Sequence, residues 1–212
     1  MSLARISINT GLAILLCSAT TGFARDTQED IRTRMGAGNP TAGKEKSTLC
    51  QGCHGEKGVS AEAIYPKLAG QYAAYIQKQI KNFQAGTRKD PLMSDMAATV
   101  TNEQDLLDIS AYFSSRAKMR GDVPVINEHG RELFFVDGNG CVNCHGVNGK
   151  GLAPDNPAAP VIGGQHKDYL VKQLNDFRSG SRSNDSGNIM GWITGQLSDS
   201  DIEDVASYIS GL

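Results

Sequence analysis

The sequence predicts an all-α protein built from two tandem domains of one fold. The five-residue pattern Cys-x-x-Cys-His occurs twice, at residues 50–54 and 141–145, and matching residues follow both copies at nearly constant distances. Apolar residues downstream of each motif recur at steps of three and four, which is the periodicity of amphipathic helices. The alternation of apolar and polar residues that is typical of strands is absent from the sequence.

An internal duplication relates the two halves. The second motif begins 91 residues after the first. Five pairs of identical residues downstream are each separated by 94 positions: Gly70 and Gly164, Tyr75 and Tyr169, Phe83 and Phe177, Gly86 and Gly180, and Arg88 and Arg182. A repeat of this length is a whole domain and far exceeds the unit of a solenoid. We therefore expect two domains of one fold at residues 25–116 and 129–212, joined by a linker at 117–128.

The first 24 residues are typical of a secretory signal peptide. Arg5 precedes an apolar run at residues 11–16, and the small residues Gly22 and Ala24 mark a cleavage site. The run is shorter than the ~18 apolar residues that cross a bilayer, so we expect cleavage near Ala24 rather than a retained anchor. Cys17 leaves with this segment, and the mature chain keeps four cysteines, all within the two motifs.

The composition is that of a soluble globular protein. Of the 212 residues, 39% are hydrophobic and 21% are charged, and the formal net charge is -2. Because the chain has no excess of positive charge, nucleic acid is not an expected partner.

In the first half, residues 25–48 are polar and include one short helix that leads into Cys50, and we expect the first part of this stretch to be loosely ordered. Glycines and a proline keep residues 55–70 out of helix. Apolar spacing then predicts a helix over residues 71–85, ended by Gly86. A loop with Met93 and Met96 precedes a last helix, which starts near Asn102.

The second half repeats this order. A lead-in helix around residues 132–135 precedes the second motif, and a loop rich in glycine and proline extends to Gly164. A helix over residues 169–177, a loop with Met190 and a last helix over 202–209 complete the pattern. The small insertions that separate the halves fall in loops.

The repeated motif predicts two covalently attached haem groups. Cys50 and Cys53, and likewise Cys141 and Cys144, are spaced so that each cysteine forms a thioether to one haem vinyl group, while the following histidine reaches the iron. Zinc is the first alternative, but the two pairs lie 91 residues apart instead of the ~15 to 20 that are typical of a shared zinc site. A redox dithiol is the second alternative, but its usual strand-helix-strand context is missing.

The axial ligands of each iron follow from the same pattern. His54 and His145 are the expected proximal ligands, each with its second ring nitrogen held by a backbone carbonyl of the following loop, where Pro66 and Pro160 are the candidates. A distal ligand has to come from the chain after the middle helix of each half, and methionine is a soft ligand that raises the reduction potential.

Met93 and Met190 occupy corresponding places ahead of the last helices and are the expected distal ligands. Met96 competes with Met93 for this role, since it lies three residues later. We interpret Met35 and Met119 as core residues.

Two further histidines and two arginines bear on the sites. His129 and His166 have no histidine at the corresponding position of the other half, so we interpret them as surface or haem-edge residues rather than ligands. Arg88 and Arg182 are duplicated just before the methionines, and a guanidinium there can form a forked hydrogen bond to a haem propionate. The alternative is a solvated loop arginine.

Taken together, the sequence resembles the bacterial di-haem cytochrome c4 family over residues 43–212. The motifs that carry the resemblance follow each Cys-x-x-Cys-His in both halves: Lys67-Leu68-Ala69-Gly70-Gln71 and Val161-Ile162-Gly163-Gly164-Gln165, then Phe83-Gln84-Ala85-Gly86-Thr87-Arg88 and Phe177-Arg178-Ser179-Gly180-Ser181-Arg182. The resemblance implies that Cys50, Cys53, Cys141 and Cys144 attach the haems, with His54, His145, Met93 and Met190 as axial ligands.

The resemblance also implies a periplasmic electron carrier that passes electrons toward a terminal oxidase. Because two protein ligands would close each iron and leave no site for a substrate, we expect no enzymatic activity. The expected partners are redox proteins, namely a terminal oxidase, a quinol-oxidising complex or a dehydrogenase, with at most peripheral membrane association. Because the two pockets differ in sequence, we expect two resolvable reduction potentials.

Two other functions stay open at this point. One is an enzyme, a di-haem peroxidase or a thiosulfate-oxidising cytochrome, but both halves offer a methionine and the mature chain has no spare cysteine to serve an open iron. The other is an electron-accepting subunit of a larger dehydrogenase, such as a flavoprotein that oxidises sulfide.

Overall fold

The computed structural model describes residues 27–121, 126–138, 140–152 and 158–212. The secondary structure within these ranges is helical and contains no strand, which confirms the all-α prediction. Across the same ranges, no helix is both long and apolar enough to cross a membrane. The predicted signal peptide at residues 1–24 lies outside the described residues.

The described residues of the first half form six helices. They are α1 (Gln28–Met35), α2 (Pro40–Lys46), α3 (Thr48–His54), α4 (Ala73–Gln84), α5 (Pro91–Ala98) and α6 (Glu103–Ser115). The apolar faces of α4 and α6 meet in a core that includes Ile76, Ile80, Ile109 and Phe113. The helix predicted over residues 71–85 is α4, and Asn102 caps α6 as expected.

The described residues of the second half form five helices and one 3-10 turn. They are α7 (Glu128–Phe135), α8 (Val142–His145), α9 (Lys167–Arg178), the turn Ser186–Asn188, α10 (Ile189–Thr194) and α11 (Asp199–Ser210). The core of this half is built from α7, α9 and α11 and includes Phe134, Leu170, Val205 and Ile209.

A glycine lets the opening helix of each half cross the last helix at backbone contact. A Cβ atom on Gly43 of α2 would lie 1.9 Å from the Asp108 carbonyl oxygen of α6. A Cβ atom on Gly130 of α7 would lie 2.1 Å from the Asp204 carbonyl oxygen of α11. No side chain fits at either crossing, so both halves fix the helix that leads into the haem motif in the same way.

The expectation that the first part of residues 25–48 is loosely ordered is wrong for the described residues, which begin at Thr27. Helix α1 begins at a capping box formed by Thr27 and Asp30. Arg34 is only 1% exposed, and its guanidinium donates hydrogen bonds to the carbonyl oxygens of Ser114 (2.7 Å) and Arg116 (3.0 Å) at the end of α6. A buried cation held by two helix-terminal carbonyls fixes a segment whose polar composition suggested disorder.

The segments that carry the candidate distal methionines are short helices, not the predicted loops. Asp90 caps α5 and Pro91 occupies the first turn, where proline initiates a helix instead of breaking it. Helix α10 starts differently, after Gly187 (φ 71°) and Asn188 (φ 53°), which both adopt left-handed backbone conformations. The two methionine helices therefore have different N-terminal geometry despite their common place in the repeat.

The chain between the halves forms part of their interface. Met119 is 2% exposed and packs with Tyr72 and Val161 in a small core of its own, which confirms its interpretation as a core residue. Its backbone N–H donates to the Ala69 carbonyl oxygen at 3.0 Å. Residues 117–121 of the proposed linker thus pack against both halves, and residues 122–125 lie outside the described part of the chain.

Two glutamines 94 positions apart join the halves in equivalent ways. The Gln71 side chain donates to the Val161 carbonyl oxygen (2.8 Å) and accepts from the Val161 N–H (3.0 Å). The Gln165 side chain donates to the Lys67 carbonyl oxygen (2.9 Å) and accepts from the Lys67 N–H (2.8 Å). Because Lys67 and Val161 are themselves 94 positions apart, the two halves face each other with approximate two-fold symmetry.

Candidate haem-binding site

The two motifs lie on short helices that end at their histidines. Cys50 and Cys53 lie one turn apart on α3, and none of the four motif cysteines forms a disulfide. The residue after His54 is Gly55, with φ 81°, and a Cβ atom there would lie 2.3 Å from the Val59 carbonyl oxygen. Only glycine satisfies both conditions, so the sharp turn that directs the chain into the next loop requires it. Gly146, with φ 77°, has the same role after the second motif.

Both motif histidines are buried and held by the predicted carbonyls. His54 Nδ1 donates to the Pro66 carbonyl oxygen at 2.8 Å, and His145 Nδ1 donates to the Pro160 carbonyl oxygen at 2.8 Å. These contacts confirm the predicted partners and leave Nε2 of each ring as the lone-pair nitrogen. Burial lowers the pKa of both imidazoles and outweighs the opposing effect of the carbonyls, so both rings are in the neutral form that binds metals.

One continuous cavity of about 1310 Å³ contacts both motifs. It exceeds the ~300 to 1,000 Å³ of an ordinary small-molecule pocket. All four motif cysteines, both motif histidines and the candidate methionines line it, together with apolar side chains of both cores such as Ile76, Phe83, Leu170 and Phe177. An apolar cavity with paired thiols and a neutral imidazole at each end fits two covalently attached haems.

Met93, Met96 and Met190 all line the cavity, but they differ in the hydrogen bonds of their backbone N–H groups. Met93 N–H donates to the Asp90 carboxylate at 3.1 Å, and Met190 N–H donates to the Asp185 carboxylate at 2.8 Å. Met93 also packs against the first core. Met96 lines the same cavity further along α5.

The alternative that Arg88 and Arg182 are solvated loop residues is wrong. They are 8% and 7% exposed, line the cavity, and stack on Phe83 and Phe177, with 4.7 and 4.4 Å between guanidinium carbon and ring centroid. Their hydrogen bonds join the two halves, a role that the sequence interpretation missed. The repeat could have indicated this role, because Gln79 and Gln173, which accept these hydrogen bonds, are also 94 positions apart.

The two remaining histidines lie outside the cavity. His129 is exposed, as expected, and its Nε2 lies 2.8 Å from the Asp201 carboxylate. His166 is partly buried between the halves, where its Nε2 lies 2.9 Å from the Ser60 hydroxyl. Neither position supports ligation by two histidines.

Comparison with known proteins gives concordant results. The family model described as cytochrome c matches twice, at residues 41–117 and 128–212. The chain is 40% identical to cytochrome c4 of Azotobacter vinelandii over 83% of this chain and 90% of that protein. It is 33% identical to a thiosulfate dehydrogenase electron acceptor of Stutzerimonas stutzeri over 95% of this chain and 93% of that protein.

The fold is similar to that of a solved structure, the reduced recombinant cytochrome c4 from Pseudomonas stutzeri. The TM-score is 0.76 and the sequence identity is 39%, over 83% of this chain and 100% of that chain. This similarity covers both helical halves and their arrangement.

Proposed function

Because the chain belongs to the cytochrome c family, as a di-haem c-type cytochrome of the cytochrome c4 group, we propose that it is a periplasmic carrier that shuttles electrons between respiratory-chain partners, toward a terminal oxidase. Its two covalent haem c groups supply one-electron chemistry. The chain supplies the ligands, the apolar surroundings and the partner-facing surface, which together set the potential and the path of the electron.

We assign the ligands in the same proposal. Cys50 and Cys53 hold one haem, Cys141 and Cys144 hold the other, and His54 and His145 bind the two irons through Nε2. The observation that carries the proposal is that each half presents a buried, neutral, carbonyl-held histidine and a methionine to one apolar cavity. Two protein ligands saturate each iron and leave no position for a substrate, which favours a carrier over an enzyme.

Met93, rather than Met96, is the proposed distal ligand of the first half. Its backbone N–H is held by the Asp90 carboxylate, as that of Met190 is by Asp185. Met96 lies 94 positions before Met190, which is the offset of the upstream pairs, so the choice of Met93 rests on this shared carboxylate contact.

A haem assay combined with a redox titration tests the proposed function. An alkaline pyridine haemochrome assay and mass measurement on purified protein are expected to give two covalent haems per chain. Spectroelectrochemical titration is expected to give two one-electron waves, because the helices that carry the two methionines start differently. Steady turnover of peroxide or thiosulfate by the protein alone would contradict a carrier.

A second candidate is the electron-accepting subunit of a thiosulfate dehydrogenase. The 33% identity to the thiosulfate dehydrogenase electron acceptor of Stutzerimonas stutzeri favours this class over the flavoprotein considered above. Stopped-flow reduction by a purified thiosulfate dehydrogenase with thiosulfate, compared with reduction by a quinol-oxidising complex, separates the two. A faster rate with the dehydrogenase would favour the subunit.

A further inference from the structure

Six polar side chains meet between the two halves, three from each. We call them the cross-domain cluster, which consists of Tyr75, Gln79 and Arg88 from the first half and Tyr169, Gln173 and Arg182 from the second. Each member has its counterpart 94 positions away. Both arginines and both glutamines are less than 9% exposed, and all six side chains line the cavity.

The hydrogen bonds of the cluster cross the domain boundary. Arg88 Nη2 donates to the Tyr169 hydroxyl at 2.9 Å and to Gln173 Oε1 at 2.8 Å. Arg182 Nη2 donates to the Tyr75 hydroxyl at 3.0 Å and to Gln79 Oε1 at 3.3 Å. Each arginine therefore donates a hydrogen bond to the tyrosine of the opposite half.

Contacts within each half complete the cluster. Arg88 Nη1 donates to Gln79 Oε1 at 2.8 Å, and Arg182 Nη1 donates to Gln173 Oε1 at 2.6 Å. Each glutamine oxygen thus accepts from both guanidinium groups, so the two cations lie close together in the interior.

The cluster carries two positive charges but no described anion. Among the residues that the structure describes, neither Arg88 nor Arg182 forms an ion pair, and every printed acceptor is a neutral amide or hydroxyl oxygen. Two carboxylates lie outside the cluster: Asp90 acts on Arg88, and Asp176 accepts from Gln173 Nε2 at 3.3 Å. Because the two guanidinium groups themselves hydrogen-bond only to neutral acceptors, the site suits a further anion in the cavity. The haem propionates are the carboxylates that the cofactor brings to this cavity.

The two phenols add hydrogen-bond donors at the same place. Tyr75 and Tyr169 each accept a guanidinium N–H, and within the described ranges neither hydroxyl donates to a protein acceptor. Burial alone would raise the pKa of the Tyr75 phenol, yet the Arg182 and Arg88 charges lower it below its ordinary value. Both hydroxyl protons are therefore available to carboxylates in the cavity.

We propose that Tyr169 and Tyr75 are positioning residues that act across the domain boundary. Tyr169 holds Arg88 in place to bind a propionate of the N-terminal haem, and Tyr75 holds Arg182 in place to bind a propionate of the C-terminal haem. The inference rests on the proposed function. Its consequence is that the potential of each haem is set in part by the opposite half. A fixed positive charge near a haem favours the reduced state, and loss of its tyrosine partner lets water screen that charge.

Tyrosine-to-phenylalanine substitutions in the full-length, haem-loaded protein test this inference. In a redox titration, Tyr169→Phe is expected to lower the potential of the N-terminal haem and leave that of the C-terminal haem in place, and Tyr75→Phe is expected to do the reverse. The two waves are assigned to the two haems with Met190→His, because histidine ligation lowers the reduction potential of the C-terminal haem and so identifies its wave.

Tyr72→Phe is the matched control. Tyr72 is also a buried tyrosine between the halves, but its hydroxyl donates to the Lys150 carbonyl oxygen at 3.0 Å and it is not part of the cluster. Neither wave is expected to move in this variant. The inference would be overturned if Tyr72→Phe shifted the potentials as much as Tyr75→Phe or Tyr169→Phe does. It would also be overturned if either cluster variant raised a potential, shifted only the haem of the half that carries the substitution, or shifted neither haem. If the unsubstituted protein has two haems and two waves, such a result refutes the cross-domain role and leaves the proposed function standing.

Discussion

The helix crossing at Gly43 allows a stability effect to be worked out from the structure. In Gly43→Ala the new methyl group would lie 1.9 Å from the Asp108 carbonyl oxygen and 2.9 Å from the Tyr112 Cβ atom. The nearest of these neighbours is backbone, so no rotamer change relieves the overlap, and α2 has to move away from α6.

Two effects of opposite sign decide the magnitude. Alanine is favoured over glycine within a helix by about 0.5 to 1 kcal/mol. Overpacking at a rigid contact costs about 1 to 3 kcal/mol, and an overlap with backbone lies toward the upper end of that range. We therefore expect a net loss of about 2 kcal/mol in the free energy of unfolding.

Urea unfolding of the haem-loaded protein measures this loss, with Gly52→Ala as the control. Gly52 also lies in a helix, but a Cβ atom there meets nothing within 4 Å, and the corresponding residue of the second motif is Asn143. Gly52→Ala is expected to be neutral or slightly stabilising. If Gly43→Ala unfolds at the same or a higher urea concentration than the unsubstituted protein, the close crossing is wrong.

Two further predictions concern residues outside the cavity. The Asp201 carboxylate raises the pKa of His129, so this pair stabilises the fold at pH values below the ordinary histidine pKa and loses its effect as the pH rises through the raised value. His129→Ala should therefore lower the urea midpoint at pH 5.5 and leave it unchanged at pH 9; equal losses at both would exclude an ionic role. Arg34→Met leaves the Ser114 and Arg116 carbonyls without this donor, so we expect a loss of about 1 to 3 kcal/mol in urea unfolding. Unchanged stability would show that α1 is not anchored there.

The repeat predicted much of the site because it links residues that are far apart in sequence. The motifs themselves predict His54 and His145 as proximal ligands, and their partners, the Pro66 and Pro160 carbonyls, were expected from their place in the next loop; the structure shows both hydrogen bonds. The middle and last helices were predictable because their apolar stripes are local patterns.

Other features depend on contacts that no local pattern records. The order of α1 comes from Arg34 binding carbonyls about 80 positions away, whereas its polar composition suggested disorder. Pro91 suggested a loop, yet after the capping residue Asp90 it starts a helix. The role of Arg88 between the halves required the arrangement of the two domains, which the repeat alone does not specify.

The central claim is that each iron is closed by a histidine and a methionine. The sulfur-to-iron charge-transfer band of the ferric protein tests this claim most directly. Met93→Ala and Met190→Ala are each expected to remove about half of the band, because each removes one of two thioether ligands. Met96→Ala, from the same helix as Met93, is expected to leave the band intact. A full band in Met93→Ala or Met190→Ala, or a halved band in Met96→Ala, would contradict the assignment.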